Sequence, residues 1–155
     1  MEYDPEENTR DYAGKIQTRD RFGREISGVH AGGDTEFMNF MEYGENGKPL
    51  RGETNIYSHP DGRPSYLWRT IVTTYEYDNE GRVSENITVW THYDSDGRIT
   101  HITTDTDTYV YNETGYTRYD HSEGSNGYTS ESESVYEIDE YGSTVSETYI
   151  ESSHD

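Results

Sequence analysis

The chain has 155 residues and carries 32 Asp and Glu against 12 Lys and Arg, a net charge of -20, with no cysteine. This length fits one domain or two small ones, and the lack of cysteine excludes disulfides, thiol catalysis and thiolate metal sites. No stretch approaches the roughly 20 apolar residues of a membrane-spanning helix. The acidic start MEYDPEEN contains no apolar signal segment. We therefore expect a cytoplasmic protein without membrane contact.

The composition favours strands around a small apolar core. Ile, Val, Leu and Phe together number 21, a fraction as low as that of many disordered chains. The chain nevertheless contains 16 Tyr, 2 Trp and 3 Phe, and disordered chains usually lack aromatic residues. Tyr buries much of its ring while its hydroxyl stays in water, which suits a half-buried sheet. The composition therefore predicts an all-β protein.

A short turn motif recurs along the chain and marks where strands end. Its three best copies consist of Asp, two variable positions, Gly and Arg, at 20–24, 78–82 and 94–98. Looser copies with the same Gly position occupy 44–48, 59–63, 112–116 and 139–143. The first Asp or Asn can accept a backbone N–H two residues later, and Gly adopts the left-handed conformation that restarts the strand. Each copy therefore predicts a β-hairpin turn.

Between the turns, apolar and polar residues alternate with the period of two that strands require. Val83, Ile87 and Val89, for example, share one face. Short turns without intervening helices make neighbouring strands antiparallel. We read residues 1–12 as an acidic tail and 13–155 as a single β-repeat domain. The sequence predicts an all-β antiparallel meander of hairpins, curled or partly open, with about ten strands, at 14–19, 24–30, 35–43, 48–57, 63–77, 82–93, 98–111, 116–120, 128–138 and 143–151.

Two phrases, YEYDNEGRV and THYDSDGRI, contain a Tyr-Asp pair followed shortly by Gly-Arg, at Tyr77-Asp78 and Tyr93-Asp94. They resemble the YD (RHS) repeat, whose hallmark is this arrangement, over residues 75–120 and more loosely over 42–150. The stretch EYGENGKPLRGE is similar to MORN-type antitoxin repeats, which are β-hairpins that end in an Asn-Gly-Lys turn. The YD resemblance implies a sheet of repeated hairpins. Because YD proteins are usually very large and extracellular, it implies little about activity.

The sequence contains no arrangement of residues typical of an enzyme. It has no G-x-S-x-G motif, and the glycine pair at 32–33 is followed by neither a helix signal nor a Lys, unlike a phosphate-binding loop. The six His residues show no metal-ligand spacing. Acid pairs at 94–96 and 105–107 have the spacing of calcium ligands, but neither completes an EF-hand loop. We therefore expect a non-enzymatic protein with no catalytic residue, cofactor or bound metal.

Charge is distributed unevenly along the chain. Residues 1–77 contain 14 acids and 9 bases, net -5, whereas residues 78–155 contain 18 acids and 3 bases, net -15. Carboxylates on one face of a strand lie about 7 Å apart, a charge density of the same order as that of a nucleic acid duplex. A sheet of this kind attracts a basic partner, whereas repulsion disfavours direct binding to nucleic acid.

We therefore interpret the protein as an acidic inhibitor of a basic nucleic-acid-handling effector, such as a nuclease. It would act by electrostatic and steric occlusion, as a nucleic-acid mimic of the anti-CRISPR type or as an immunity protein against a nuclease toxin. Aromatic residues often anchor interfaces, so the predicted site includes them. The predicted partner-binding residues are Asp94, Asp96, Asp105, Asp107, Glu131, Glu133, Glu137, Trp90, Tyr109 and Tyr111.

Other interpretations of the same features stay open. The charge could serve only to keep a Tyr-rich sheet with two free edges soluble. It could also reflect a halophilic source, which two Lys favour and two Ala oppose. The alternative function is a surface or carbohydrate-binding YD-repeat module, in which exposed rings such as Trp68 and Trp90 contact the ligand.

Overall fold

The computed structural model of the protein describes residues 9–10, 16–20, 22, 24–32, 35–141 and 143–154. Over these residues the chain forms strands and turns without a helix, and therefore no helix that could span a membrane. Each strand of the 11-stranded sheet neighbours the strands before and after it in the chain. The strands are β1 (Thr9–Arg10), β2 (Ile16–Arg19), β3 (Glu25–Gly32), β4 (Thr35–Tyr43), β5 (Pro49–Ser58), β6 (Tyr66–Tyr77), β7 (Val83–Tyr93), β8 (Ile99–Tyr111), β9 (Gly115–Gly124), β10 (Thr129–Ile138) and β11 (Thr144–His154).

The predicted all-β antiparallel meander is confirmed. The ten predicted strands correspond to β2–β11, and only the end of β9 differs by more than three residues, because β9 continues to Gly124 instead of 120. Thr9–Arg10 pairs with β2 although it lies within the segment 1–12 that the sequence predicts as a tail. The rest of that segment lies outside the described residues.

The chain divides into two compact units. The first unit contains Met1–Thr73 and Trp90–Thr100, and the second contains Thr74–Val89 and His101–Asp155. In the first unit, β2 to β5 pair antiparallel in sequence order. In the second unit, β8 to β11 do the same. The second unit contains the larger share of the acidic residues, and the candidate site is described there.

The turn motif adopts the hydrogen bonds that its residues predict. In the turn at 78–82, Asp78 Oδ1 accepts the backbone N–H groups of Glu80 and Arg82, both at 2.9 Å. Asp78 Oδ2 accepts the Arg82 Nε–H at 2.7 Å. Gly81 has a φ of 77°, in the left-handed region where a Cβ is unfavourable. The Asp side chain therefore holds the turn through hydrogen bonds, and Gly supplies the left-handed backbone conformation that the turn needs.

Two turns differ from the predicted pattern. At Asn112–Gly115 the backbone N–H of Asn112 donates to Gly115 O at 3.0 Å, and Gly115 does not have a positive φ. Glycine is needed there for another reason, because a Cβ would overlap the carbonyl oxygen of Tyr136 on β10. A further hairpin turn that the sequence analysis missed joins β9 to β10, and in it Gly127 has a φ of 89°.

Few side chains are buried, in agreement with the small aliphatic content. Among the described residues these are Ile56 in the first unit, 5% exposed, and Ser134 in the second, 3% exposed. Ser134 on β10 is paired with Arg118 of β9 and with Tyr149 of β11. Directly paired residues share a face, so two long side chains flank a small one and cover it.

Candidate functional site

Strand pairing sorts the side chains of β8–β11 onto two faces, because directly paired residues share a face and successive residues alternate. We name the two faces after their characteristic residues. The tyrosine face carries Asp105, Asp107, Tyr109, Tyr111, Tyr116, Arg118, Asp120, Ser122, Ser132, Ser134, Tyr136, Glu147, Tyr149 and Glu151. The glutamate face carries Thr106, Thr108, Tyr119, His121, Glu123, Glu131, Glu133, Glu137, Thr148 and Ile150.

Four tyrosines pack together at one end of the tyrosine face. The ring centre of Tyr116 lies 4.6 Å from that of Tyr136, 5.7 Å from that of Tyr111 and 6.0 Å from that of Tyr109. The Tyr111 hydroxyl donates to the backbone carbonyl of Val83 at 2.9 Å. Burial raises the pKa of both Tyr109 and Tyr111. The packing of these rings against one another stabilises this end of the sheet.

A charged cluster lies beside the tyrosines. Arg118 Nη2 is 3.5 Å from Asp107 Oδ1 and also forms an ion pair with Asp120. The Ser132 hydroxyl donates to Asp120 Oδ2 at 2.8 Å. The side chains of Asp107, Asp120 and Arg118 are 22%, 23% and 37% exposed. The two carboxylates are therefore already engaged within the sheet.

Burial and the neighbouring Asp120 carboxylate raise the pKa of Asp107 to about 6. Burial also acts to raise the pKa of Asp120, but the hydrogen bonds that it accepts from Asp107, Ser132 and Arg118 lower it below the usual value. The pair thus shares a proton at mildly acidic pH, with Asp107 holding it and Asp120 ionised against Arg118. The cluster partly neutralises itself and contributes little field to a partner.

The glutamate face has a different electrostatic character. Four glutamates lie on it, and β8–β11 place no Lys or Arg there. His121 Nδ1 lies 3.4 Å from Glu131 Oε1, with side chains 45% and 66% exposed. Glu137 accepts a hydrogen bond from the Ser146 hydroxyl at 2.9 Å. The carboxylates on this face remain accessible to a cationic partner.

Apolar side chains flank the carboxylates of the glutamate face. Glu133 is paired with Tyr119 of β9 and with Ile150 of β11, whose side chains are 44% and 64% exposed. A shallow cavity of about 270 Å³ lies beside Tyr119 and is lined also by Thr106, His121 and other residues. Exposed aromatic and aliphatic groups next to carboxylates can anchor a partner that the charges attract.

The predicted partner-binding residues of the second unit are divided between the two faces. Asp105, Asp107, Tyr109 and Tyr111 lie on the tyrosine face. Glu131, Glu133 and Glu137 lie on the glutamate face. One flat partner surface cannot contact both sets, because they project from opposite sides of the same strands.

The remaining predicted residues belong to the first unit. Asp94 Oδ1 accepts the backbone N–H groups of Asp96 and Arg98, both at 2.9 Å, and Asp96 pairs with Arg98 at 3.1 Å. The Trp90 ring centre lies 5.7 Å from the guanidinium carbon of Arg69. Asp94 therefore has a structural role in its turn, whatever else it contacts.

The acid pairs that have calcium-ligand spacing are engaged by protein groups. Asp105 Oδ1 accepts the Ser122 hydroxyl at 2.6 Å, and Asp107 faces Arg118 as described above. Over the part of the chain that the structure describes, no group of three or more His, Asp or Glu side chains is arranged to hold a metal ion.

Sequence reasoning missed Tyr119, His121 and Ile150, which the register places beside the glutamates. Whether a residue has an odd or even position in its strand could not reveal that it lies beside the glutamates. Odd and even positions identify a common face only when the register between strands is known. Searches against protein-family models, curated proteins and solved structures found no match for this chain. The resemblance to YD and MORN-type repeats therefore stays a prediction based on the turn motifs.

Proposed function

We propose that this protein is a non-enzymatic, cytoplasmic inhibitor that binds a basic nucleic-acid-handling effector through the glutamate face. The effector would be a nuclease or a nuclease complex of bacterial immunity, or a nuclease toxin. The observation that carries the proposal is the combination of four glutamates with exposed Tyr119 and Ile150 on a face to which β8–β11 contribute no Lys or Arg.

The first step of the argument is electrostatic. Glu131 and Glu133 are two residues apart on β10, so their carboxylates repeat at about 7 Å along the strand. The second half of the chain has a net charge of -15, and such a field accelerates encounter with a basic surface. A groove lined with Lys and Arg for nucleic acid presents the complementary field.

The second step is selectivity for protein contact. Simple ion pairs at an exposed surface contribute little affinity, so carboxylates alone would give weak binding. Tyr119 and Ile150 flank Glu133 and are exposed enough to be buried by a partner. Burial of such side chains supplies the affinity that charge does not. On the strands β8 to β10 of the tyrosine face, in contrast, Asp107 and Asp120 already pair with Arg118.

The proposal is tested by inhibition of purified basic nucleases, including immune effector complexes and nuclease toxins, assayed for cleavage and for nucleic acid binding. A stoichiometric amount of the protein should block both, and excess nucleic acid should displace it. An effector that binds nucleic acid normally while the protein is attached would contradict occlusion.

A matched pair of variants locates the contact. E131K/E133K reverses two charges on the glutamate face, and E113K/E140K reverses two exposed charges in turns. Both change the net charge equally, so a general electrostatic effect would weaken inhibition equally. We expect E131K/E133K to weaken inhibition at least about tenfold more than E113K/E140K. Equal losses would assign the effect to net charge.

The alternative function, carbohydrate binding by a surface module, has its own candidate site in the first unit. A cavity of about 560 Å³ lies beside Arg63, Tyr66, Asp94 and Asp96, and polar groups beside an aromatic ring suit a sugar. Trp68 is 38% exposed, although the Arg69 guanidinium lies 4.3 Å from its ring centre. Retention on a glycan array that is lost in Y66A, with no inhibition of any nuclease, would select this function.

A further inference from the structure

The last strand of the sheet exposes a long edge. β11 (Thr144–His154) is at the end of the strand order, and within the described residues it pairs only with β10. The described side chains from Thr144 to Ser152 are all exposed. Half of the backbone N–H and C=O groups of such a strand point away from its neighbour and can pair with another strand.

The side chains along this edge define what can pair with it. On the tyrosine face, β11 presents Glu147, Tyr149 and Glu151, which are paired with Tyr136, Ser134 and Ser132. On the other face it presents Thr148 and Ile150, beyond which lie the glutamates of β10. An added strand would place its side chains about 5 Å from those of β11 and about 10 Å from the glutamates of β10.

We infer that β11 binds an extended basic segment of the partner protein, which adds to the sheet as a further strand. The segment fits best when Lys or Arg lie opposite Glu147 and Glu151 and an apolar residue lies opposite Tyr149. Main-chain hydrogen bonds provide affinity in this mode, and alternate side chains provide selectivity. The inference takes the basic character of the partner from the proposed function and adds how the partner binds.

The charge on the edge also selects against other occupants. A second copy of this chain would bring Glu147 and Glu151 close to identical carboxylates, and like charges directly opposite one another destabilise a strand pair. Edge strands are commonly protected from self-association by charged side chains. Here the protecting charges are all negative from Thr144 to Ser152, so they repel copies of the same strand while they attract a basic one.

The test uses the full chain and two synthetic peptides of about ten residues, the length of a strand. One peptide contains Lys-Thr-Val-Thr-Lys at its centre, and the other has Glu in place of both Lys. Backbone hydrogen exchange is followed by NMR. We expect the Lys peptide to slow exchange of alternate β11 amides at least about tenfold and to leave β4 and β5 unchanged. The Glu peptide should have no effect.

Three results would overturn the inference. The Lys peptide could perturb Glu131 and Glu133 without protecting β11 amides, which would preserve electrostatic binding by the glutamate face and eliminate strand addition. Protection by the Glu peptide would remove the charge selectivity. Protection that grows with protein concentration in the absence of peptide would identify a second copy as the occupant. None of these results depends on whether a nuclease is inhibited, so the proposed function is judged separately.

A pair of proline variants supplies the control. Of two neighbouring positions on β11, one backbone N–H points to β10 and the other points outward. Of T148P and Y149P, one therefore removes a hydrogen bond within the sheet and lowers the melting temperature. The other keeps the wild-type melting temperature and loses the peptide-dependent protection. If the variant that keeps the wild-type melting temperature also kept the full peptide-dependent protection, pairing along this edge would be contradicted.

Discussion

The guanidinium carbon of Arg82 lies 4.3 Å from the ring centre of Tyr111. The same guanidinium pairs with Asp78 at 2.7 Å, in the turn that precedes it. The Tyr111 ring ends β8, two strands after this turn, so Arg82 connects one hairpin turn to the end of a later strand. Arg24 makes the corresponding contact in the first unit, at 4.5 Å from the Tyr43 ring centre. Arg24 and Arg82 end two of the three best copies of the turn motif, and each contacts the ring of a Tyr that ends a later strand.

Replacement of Arg82, which contacts the Tyr111 ring, should lower stability more than replacement of Arg98. Arg82→Gln removes the contact with the Tyr111 ring and the bonds to Asp78, so the melting temperature should fall by a few degrees. Arg98→Gln is the matched control, because Arg98 occupies the same turn position, pairs with Asp96 and is 77% exposed. Thermal unfolding followed by circular dichroism measures both. A larger loss for Arg98→Gln would contradict the proposed role of the ring contact.

The turn motifs predict the strand bounds because each residue type in them has a local function. Asp78 accepts two backbone N–H groups, and Gly81 takes a φ that other residues avoid. These bonds form within five residues, so the sequence contains all the information that they need. The turn at Asn112–Gly115 departs from the pattern because its glycine is required by the close approach of the Tyr136 carbonyl oxygen on β10. Tyr136 is distant in sequence, so the turn residues alone do not reveal this requirement.

The candidate site could be predicted only in part, because its faces depend on register across several turns. Tyr111 pairs with Tyr116, so odd positions of β8 share a face with even positions of β9. Glu133 pairs with Tyr119, so odd positions of β10 share a face with odd positions of β9. Asp107 and Glu133 therefore lie on opposite faces, although both are odd. A one-residue change in either turn would have reversed this result.

The left-handed glycines should be costly to replace even where space is available. At Gly97 φ is 79°, and an added Cβ would meet no atom within 4 Å, so the cost comes from the backbone alone. Gly97→Val should destabilise the protein by about 1–2 kcal/mol, and Gly97→Asn by less, because Asn tolerates this conformation. Ser95→Val in the same turn should change stability by less than about 0.5 kcal/mol. Urea unfolding measures all three, and equal costs at 95 and 97 would refute the turn assignment.

Gly115 should be sensitive for a steric reason. Because a Cβ there would overlap the carbonyl oxygen of Tyr136, Gly115→Ala forces β9 and β10 apart. We expect a loss of about 2 kcal/mol or more in the free energy of unfolding. Thr117→Ala, two residues along the same strand, is the control and should cost less. If Gly115→Ala were neutral in urea unfolding, the close approach of the two strands would be wrong.

The Asp107–Asp120 pair should make stability depend on pH in a mildly acidic window. The pKa of Asp107 is about 6 in the folded protein and 3.8 as its ordinary value. Between these values the folded state binds more protons than the unfolded state, so stability falls as pH rises from about 4 to about 6. The pKa of Asp78 is lowered, mainly because its carboxylate accepts the backbone N–H of Arg82, so its contribution to stability is lost only below that window.

Asp107→Asn tests this pH dependence. Asn keeps a neutral side chain that can donate to Asp120, so the variant should be more stable than the wild type at pH 7 by on the order of 1–2 kcal/mol. It should also lose the slope between pH 4 and pH 6. Asp105→Asn, on the same face of β8, should keep the slope because Asp107 remains. Urea unfolding across this pH range measures the slope for both variants. Equal slopes for Asp107→Asn and Asp105→Asn would contradict the assignment of the pH dependence to Asp107.

Charge reversal should affect thermal stability little at the exposed glutamates of the glutamate face and strongly at Asp107 of the tyrosine face. Glu131→Lys/Glu133→Lys places two exposed side chains in a strongly negative protein and should leave the melting temperature within a few degrees of the wild type. Asp107→Lys places a partly buried cation against Arg118 and should destabilise the protein by about 2–4 kcal/mol. Added salt should raise the melting temperature of the wild type more than that of Glu131→Lys/Glu133→Lys. Screening over about 10 Å at 0.1 M weakens repulsion among exposed carboxylates, and the variant has two fewer of them. Melting curves at low and moderate salt measure both effects. If Asp107→Lys were tolerated and the glutamate variant unfolded, the face assigned to partner binding and the face assigned to stability would have to be exchanged.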